Sequence, residues 1–372
     1  DPTTTNPSTY SMNLVENSQP GVNFSNVLTN LAAGYDVSWT ESGGDIILEV
    51  SDGMEVVASS DAEFNAAQAG NDVRVIGAVW VQGTSQEINS FSIEVWDSNS
   101  SFSQGGLYLG NSDTTAETFE LTVASQSAVA PDTYLTVGNY GGVDTSVLIL
   151  DGLLTVNGYL NLAAGGQIRT SGSGSIVIAD EGDVYIHGGT LDVDLTLLDG
   201  SYAFVGPYDG SQESELGGLG SITNLSTIVL DGLLGLGVDM DNQGFVGING
   251  GASITLMAGS EMVFSNDGGL LATDGYDSVS LHLNDNVLDT RGGELALFIN
   301  DSAGFHATLT GGAAGSDGII MMDSGTRFAS SGYVDNATDY PTLVLEGDLT
   351  LSLQGVVVFD TDEYPRHGAT KD

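Results

Sequence analysis

Short runs in which apolar and polar residues alternate follow one another along most of this chain. In SVLILDGLLTVNGYLNLAAGG, residues 146–166, glycines at 152, 158 and 166 separate such runs. A β-strand points successive side chains to opposite sides, so alternation buries one face and leaves the other in water. Glycine tolerates the backbone angles that tight corners require. The pattern predicts an all-β protein built from short strands and glycine corners.

The glycines are most regular from about residue 134 onward. The spacing continues with glycines at positions 174, 182, 189 and 200. Three short strands with a corner after each make a coil of roughly 23 residues, and coils stack at ~4.8 Å, the spacing of paired strands. A stack of coils buries the apolar face that one coil cannot. We therefore predict a parallel β-solenoid over residues 133–360. An antiparallel β-sandwich or jelly roll throughout is the alternative.

One short sequence motif recurs within this region. LDGLL occurs at residues 150–154 and again at 230–234, and LEGDLTLSL begins at residue 345. We interpret the phrase as a building unit that forms one wall of the solenoid. The less regular stretch SYAFVGPYDGSQESELGG, residues 201–218, is predicted to be a loop that projects from the stack.

The first third of the chain has a different pattern. A polar arm of residues 1–11 precedes a region, residues 12–97, whose candidate strands are separated by turns at irregular intervals. The opening LVENSQPG resembles the start of cadherin-like and other bacterial immunoglobulin-like modules, and the resemblance implies a β-sandwich there. Residues 98–132 are predicted to connect it to the solenoid. The only stretch compatible with a helix is DAEFNAAQAG, residues 61–70.

The glycine-punctuated part resembles the β-helix passengers of bacterial autotransporters and adhesins. The segments that carry this resemblance are YLTVGNYGG and GSGSIVIADEGDVYIHGGTLDVD. It implies an extracellular surface protein. The resemblance covers more than half of the chain. It rests on the general pattern of short alternating segments and glycines and includes no diagnostic motif.

Composition narrows the function classes. Six Lys plus Arg against 50 Asp plus Glu give a formal charge of -44, which repels nucleic acids and anionic membranes. Cysteine is absent, so neither a disulfide nor a thiolate metal site can form. The chain contains no apolar run long enough to span a membrane, and its start at Asp1 indicates a processed form from which a signal peptide has been removed. Together these features predict a secreted protein at the cell surface.

The search for catalytic residues is mostly negative. Lys371 is the only lysine, and neither a GxSxG elbow nor an HExxH motif occurs. Asp192 and Asp194 alternate outward on one predicted strand, which is the kind of carboxylate pair that a β-helical polysaccharide lyase or hydrolase needs. Such an enzyme commonly also has a basic residue, and Arg169 lies just before the Asp180–Asp183 segment. Among 50 acidic residues such pairs arise by chance. We predict that the protein is not an enzyme, with lyase or hydrolase activity as an alternative.

Calcium is the predicted cofactor. Carboxylate and amide oxygens are its preferred ligands, and two segments offer them close together, DMDNQG and DTDEY. Neither matches an EF-hand, and the nonapeptide motif of repeats-in-toxin proteins is absent. The candidate ligands are Asp239, Asp241, Asn242, Asp360, Asp362 and Glu363.

The C-terminal tail, residues 361–372, carries positive charge on an acidic protein. It contains Arg366, His367 and Lys371, and an identical acidic subunit is the obvious partner for such a tail. We predict a structural subunit that joins copies of itself head to tail into a filament or layer. The other alternative is a carbohydrate-binding adhesin, whose partners are surface glycans.

Overall fold

The structure is a computed structural model of the 372-residue chain. It describes residues 10–15, 35–42, 45–52, 55–81, 85–94, 105–110, 118–139, 145–208, 213–257, 259–264, 270–273, 279–291, 294–300, 306–311, 317–323, 327–333, 342–346, 348–354 and 358–360.

The first three strands form a small antiparallel sheet. They are β1 (Tyr10–Val15), β2 (Tyr35–Ser42) and β3 (Asp45–Asp52), in the order β1-β3-β2. The pairing of β2 with β3 runs from Tyr35 opposite Asp52 to Ser42 opposite Asp45, so the two strands form a hairpin.

From Glu55 onward the described residues form short strands and one short helix, α1. The first of these elements are β4 (Glu55–Ala58), α1 (Asp61–Asn65), β5 (Asp72–Val75), β6 (Ala78–Val81), β7 (Gln86–Ile88), β8 (Ser90–Ile93), β9 (Gly106–Leu109), β10 (Thr118–Val123), β11 (Ser127–Val129), β12 (Tyr134–Val137), β13 (Thr145–Leu150), β14 (Leu153–Val156), β15 (Tyr159–Leu162), β16 (Gly166–Arg169), β17 (Ser175–Ile178), β18 (Asp183–Ile186), β19 (Gly189–Asp192), β20 (Asp194–Leu197), β21 (Tyr202–Val205) and β22 (Glu213–Gly217). The remaining strands are β23 (Ser221–Asn224), β24 (Thr227–Leu230), β25 (Leu233–Leu236), β26 (Asp239–Asn242), β27 (Phe245–Ile248), β28 (Ser253–Leu256), β29 (Glu261–Phe264), β30 (Leu270–Thr273), β31 (Val279–His282), β32 (Val287–Asp289), β33 (Glu294–Asn300), β34 (His306–Thr310), β35 (Asp317–Asp323), β36 (Arg327–Tyr333), β37 (Thr342–Glu346), β38 (Asp348–Gln354) and β39 (Val358–Asp360).

From β5 on, every third strand pairs in parallel with the next of its kind, which builds three long sheets. Sheet 1 has 13 described strands and runs from β4, β5 and β8 to β38; sheet 2 has 12, from β6 to β39; sheet 3 has 11, from β7 to β37. The chain therefore passes from sheet 1 to sheet 2 to sheet 3 and returns one strand higher. This is a parallel β-solenoid with three strands per coil, as the glycine spacing predicts.

The coil length varies along the solenoid. In the middle, the coils are short: Leu153 pairs with Ser175, and Ser221 pairs with Asp239. Coil length varies most near the N-terminal end, where Asp72 pairs with Ser90 but Ser92 pairs with the distant Ala128. The predicted coil length is thus close to that of the middle of the solenoid, whereas longer corners lengthen some of the other coils.

Alternation places one set of side chains inside the coils. In β17, for example, Ile176 and Ile178 are buried while Ser175 and Val177 are partly exposed. The buried side chains form one continuous core cluster from Ala58 to Met322. Because burying an aliphatic side chain contributes about 1.5–3 kcal/mol, and each coil adds its own inward residues, the stack of coils supplies the stability that no single coil has.

Glycines occur at the corners because successive coils approach closely there. A Cβ atom on Gly174 would lie 2.0 Å from the carbonyl oxygen of Leu150 in the coil below, and one on Gly158 would lie 2.3 Å from that of Ala130. No side chain fits at such distances, so the glycine spacing in the sequence follows the close approach of neighbouring coils.

The prediction of an immunoglobulin-like sandwich over residues 12–97 requires correction. The described strands between residues 55 and 93 pair in parallel and belong to the same three sheets as the rest. The strands of the predicted connector, residues 98–132, also belong to them. Only β1, β2 and β3 pair as antiparallel neighbours in the described residues. The solenoid therefore starts near Glu55 and not near residue 133.

Two further expectations are corrected by the strand order. The phrase LDGLL turns the corner from sheet 3 to sheet 1 at residues 150–154, but the corner from sheet 2 to sheet 3 at 230–234. It is therefore a corner unit and not one wall. The predicted projecting loop, residues 201–218, contains β21 and β22, which both pair within the stack.

The helix α1 covers the N-terminal end of the solenoid, and it lies in the stretch predicted to be helical. It occupies the place that strands of sheets 2 and 3 would take in the first coil, and its Phe64 is fully buried. Its side chains also satisfy the edge strand β6, because Asp61 Oδ1 accepts a hydrogen bond from the Trp80 N–H at 2.8 Å and Asn65 Nδ2 donates to the Trp80 carbonyl at 3.4 Å. An edge strand whose backbone groups are paired in this way is closed to further strands.

Candidate functional site

The structure separates the three predicted calcium ligands of β26. Asp239 is exposed and Asp241 is half-buried, but Asn242 is fully buried. The Asn242 Oδ1 atom accepts hydrogen bonds from Asn224 Nδ2 at 2.7 Å and from the Gly244 N–H at 3.2 Å. Asn242 therefore joins two coils and is not directed to a shared ion with the two aspartates. Alternation along the strand is the reason, since adjacent side chains point to opposite faces.

The remaining predicted site residues lie at the C-terminus. Asp360 is the last residue of β39, and its side chain is outside the described part. Asp362, Glu363, Arg366, His367 and Lys371 also lie outside the described residues. Within the described part, no group of three or more His, Asp or Glu side chains is placed to hold a metal ion.

The carboxylate pair suggested for a polysaccharide-degrading enzyme is divided by a corner. Asp192 ends β19 in sheet 3 and Asp194 begins β20 in sheet 1, with the buried Val193 between them. Asp192 Oδ2 is 3.9 Å from Arg169 Nε, and Asp192 Oδ1 accepts a hydrogen bond from the Leu219 N–H. Asp194 Oδ1 accepts hydrogen bonds from the Ser221 N–H and hydroxyl. Each carboxylate therefore stabilises its own corner.

A serine and a histidine meet on the outer face of sheet 3. Ser253 Oγ is 3.1 Å from His282 Nε2, and Ser280 Oγ donates to Ser253 Oγ at 3.0 Å. Nucleophilic catalysis would also require donors for a developing oxyanion. The N–H groups of Ser253 and Ser280 already donate to the carbonyls of Gly232 and Ala252. We therefore interpret this trio as a surface hydrogen-bond chain.

The most distinctive surface feature is a strip of aromatic side chains on the outer face of sheet 2. It crosses six successive strands, from β6 to β21, and none of its rings lies in the core. We define the aromatic strip as Trp80, Tyr108, Tyr134, Tyr159, Tyr185, His187, Tyr202, Phe204 and Tyr208.

Neighbouring rings of the strip contact one another from coil to coil. The Trp80 and Tyr108 rings stack with centroids 5.0 Å apart, and Tyr134 and Tyr159 stack at 4.6 Å. The Tyr185 ring lies 6.4 Å from both Tyr159 and Tyr202. Such pairs each contribute about 0.5–1.5 kcal/mol beyond their buried area, so the strip also holds neighbouring coils together.

Small residues and strand register create the strip. Tyr134 and Tyr159 are register partners on β12 and β15, which places their rings side by side. On β9, a Cβ atom at Gly106 would lie 2.6 Å from the Tyr108 ring, so the glycine leaves the space that this ring occupies. The rings are consequently fixed by the backbone ladder beneath them.

His187 lies at the end of the strip near the corner of sheets 2 and 3. Its Nδ1 donates to the Gly206 carbonyl at 2.9 Å, and its ring contacts Phe204 and Tyr208. Burial lowers the pKa of His187, although the hydrogen bond opposes this effect. Burial raises the pKa of Tyr108, Tyr185 and Tyr202. His187 and these tyrosines are therefore uncharged at neutral pH, and Asp183 is the acidic residue that adjoins them on β18.

No protein-family model and no curated protein matches this chain. Among the described residues, no helix has the length and apolar character needed to cross a bilayer.

The sequence pattern contains an indication of the aromatic strip that the sequence analysis missed. In YLTV, YLNL and DVYI, at residues 134, 159 and 183, the aromatic residues occupy the outward positions of the alternation. An outward position normally carries a polar side chain, so repeated aromatic residues there indicate a special surface. The alignment of these positions into one strip depends on coil length, which varies too much to be read from one sequence.

Proposed function

We propose that this chain is an exported structural protein of the cell surface, without enzymatic activity. The observation that carries the proposal is the uninterrupted solenoid. Thirteen stacked strands in sheet 1 span about 58 Å, because neighbouring strands are ~4.8 Å apart. A rod of this kind resists bending because a parallel ladder continues through every coil, and such rigidity suits a spacer or scaffold.

The proposal includes assembly of identical subunits. The two ends of the rod differ, which favours a head-to-tail contact over a symmetric one. At the C-terminal end, Leu351 of β38 is in register with the buried Ile320 and yet remains 43% exposed. At the N-terminal end, α1 covers sheets 2 and 3. The predicted N-terminal arm, residues 1–11, is shortened by the structure, because Tyr10 and Ser11 pair with β3 within β1. We therefore propose that the terminal segments, residues 1–9 and 361–372, make the connection, since simple continuation of all three sheets would meet α1.

Electron microscopy of native material tests this assembly. We expect repeating subunits for the full chain and dispersed subunits after deletion of residues 361–372. A variant with Arg366, His367 and Lys371 each replaced by glutamine should also disperse, because the contact requires the positive charge of the tail. The control is Arg169→Gln, which removes a positive charge from the side of the rod. A monodisperse full-length protein that the deletion does not change would overturn the proposal of self-assembly.

Calcium remains part of the proposal, with fewer ligands. Asp239 and Asp241 both have outward positions, and a chain with 50 acidic residues gains from bound divalent cations. Thermal unfolding with and without a chelator, at fixed ionic strength, should show a lower Tm with the chelator. An unchanged Tm would contradict stabilisation by calcium and would indicate that salt alone screens the negative charge of the chain.

A further inference from the structure

We propose that the aromatic strip is a binding site for an extended, uncharged polysaccharide. This inference is independent of self-assembly, because it concerns the side of the rod and not its ends.

The charge of the strip favours a neutral ligand. The six strands from β6 to β21 each place two residues on the outer face of sheet 2. Of these outward residues, only Asp183 is charged; the others are Ala78, Trp80, Gly106, Tyr108, Tyr134, Thr136, Tyr159, Asn161, Tyr185, Tyr202 and Phe204. In a chain with a net charge of -44, these twelve outward positions hold one carboxylate, and Asp132 and Asp231 are the further acids that act electrostatically on Tyr159 and Tyr202. A cationic partner would therefore find stronger attraction on other faces of the rod.

The chemistry of the strip suits a polyhydroxylated chain. Aromatic side chains combine a large apolar surface with a polar tip, and they lose little conformational entropy on binding. Tyrosine hydroxyls follow one another along the strip, and the hydroxyl of Tyr185 lies 3.4 Å from Asp183 Oδ2. Phenol and carboxylate oxygens can exchange hydrogen bonds with sugar hydroxyls, while ring surfaces contact the C–H groups of the sugar.

The geometry indicates a ligand of several sugars. In the middle of the strip the Tyr134 and Tyr159 rings stack, and the Tyr185 ring is tilted against its neighbours. The two ends are more open, because Trp80 is 44% exposed and Tyr208 is 68% exposed, with its ring perpendicular to that of His187. Five strand spacings separate β6 from β21, which is about 24 Å. A linear oligosaccharide would lie along the rod, in contact with an exposed ring at each end.

The strip is organised before the ligand binds. Its rings are held by coil-to-coil stacking and by the strands beneath, so little ordering is needed on association. Flexible surface side chains would lose more entropy than these rings.

Calorimetric binding of short oligomers to the full chain tests the proposal. Four probes are hexasaccharides, from an uncharged glucan, an uncharged mannan, N-acetylated chitin and a polyuronate, and the fifth is an oligolysine peptide. We expect at least one neutral sugar to bind, little change in its Kd between low and high salt, and no binding of the polyuronate. Tyr208→Ala and Trp80→Ala should each weaken binding about tenfold, since an aromatic contact contributes on the order of 1 kcal/mol or more.

The matched control is Leu219→Ala, which removes an apolar side chain that is 95% exposed at a different corner. It should leave the Kd unchanged. Because Trp80 contacts the capped end, the thermal unfolding of Trp80→Ala is measured as well, and Tyr208→Ala carries the test if that variant is unstable. Failure of all neutral probes to bind, binding of the oligolysine alone, or equal binding by Tyr208→Ala and wild type would each overturn the proposal. None of these results depends on whether filaments form.

Discussion

Gly174 and Gly172 lie in the same corner, but only Gly174 approaches another coil. A Cβ atom at Gly174 would lie 2.0 Å from the carbonyl oxygen of Leu150, whereas one at Gly172 would have its nearest neighbour, Asp151 Oδ1, at 3.8 Å. The first contact involves the backbone of a β-ladder, which cannot move without disturbing its partners. At the residue scale, therefore, some glycines fix the distance between coils and others only fill a turn.

We expect Gly174→Ala to destabilise the protein by about 1–3 kcal/mol, the usual cost of overpacking a closely packed site. Gly172→Ala should change the free energy of unfolding by less than about 0.5 kcal/mol. Urea unfolding of both variants beside the wild type measures the difference. Equal stability of the two variants would contradict the close approach of coils at Gly174.

At the scale of the element, the alternation in the sequence predicted strands and burial well. The alternation in β17, for example, agrees with the burial of Ile176 and Ile178. It did not predict that residues 55–132 belong to the solenoid, because coils of unequal length there hide the period: Asp72 pairs with Ser90, whereas Ser92 pairs with the distant Ala128. For a related reason, Asp192 and Asp194 were assigned to one strand although a corner lies between them.

The candidate sites were less accessible to sequence reasoning than the strands. The segment DMDNQG contains three oxygen-bearing side chains, but a strand turns Asn242 inward, where Asn224 and Gly244 occupy its side-chain oxygen. The aromatic strip depends on the alignment of six coils of unequal length. A pattern within one strand can be read from sequence, whereas a pattern across strands requires the register.

The environment of His187 predicts a pH effect at the end of the aromatic strip. Because burial lowers its pKa in the folded state, the unfolded chain takes up a proton first as the pH falls. The contribution of uncharged His187 to the free energy of unfolding is therefore fully present above the ordinary histidine pKa of about 6.5. It is lost as the pH falls below that value.

Urea unfolding of the wild type and His187→Gln, at about pH 8 and about pH 5 on either side of the histidine pKa, measures this effect. Between the higher and the lower pH, the free energy of unfolding should fall less for His187→Gln than for the wild type. Because solvent reaches the ring, we expect a difference of a fraction of a kcal/mol. A larger loss in His187→Gln than in the wild type would contradict the assignment.

At the scale of the whole molecule, the described coils form one rod with two different ends and one aromatic side. The core cluster extends from Ala58 to Met322 without a break, so no separate folding unit interrupts it within that part. The acidic surface repels itself along the rod, and salt or divalent cations relieve this repulsion. The strand pairing places the start of the rod near Glu55, whereas the sequence predicted a start near residue 133.

Distances between spin labels test the continuous solenoid most directly, and the absence of native cysteine makes labelling at introduced cysteines specific. Ser92, Thr196, Asp241 and Met321 occupy one outward column of sheet 1, with Ser92 four, six and nine coils from the other three. From a label at position 92, the account predicts backbone separations of about 19, 29 and 43 Å, which rise in proportion to coil number. Broad distances from position 92 that do not follow this proportion would contradict a solenoid that begins near Glu55.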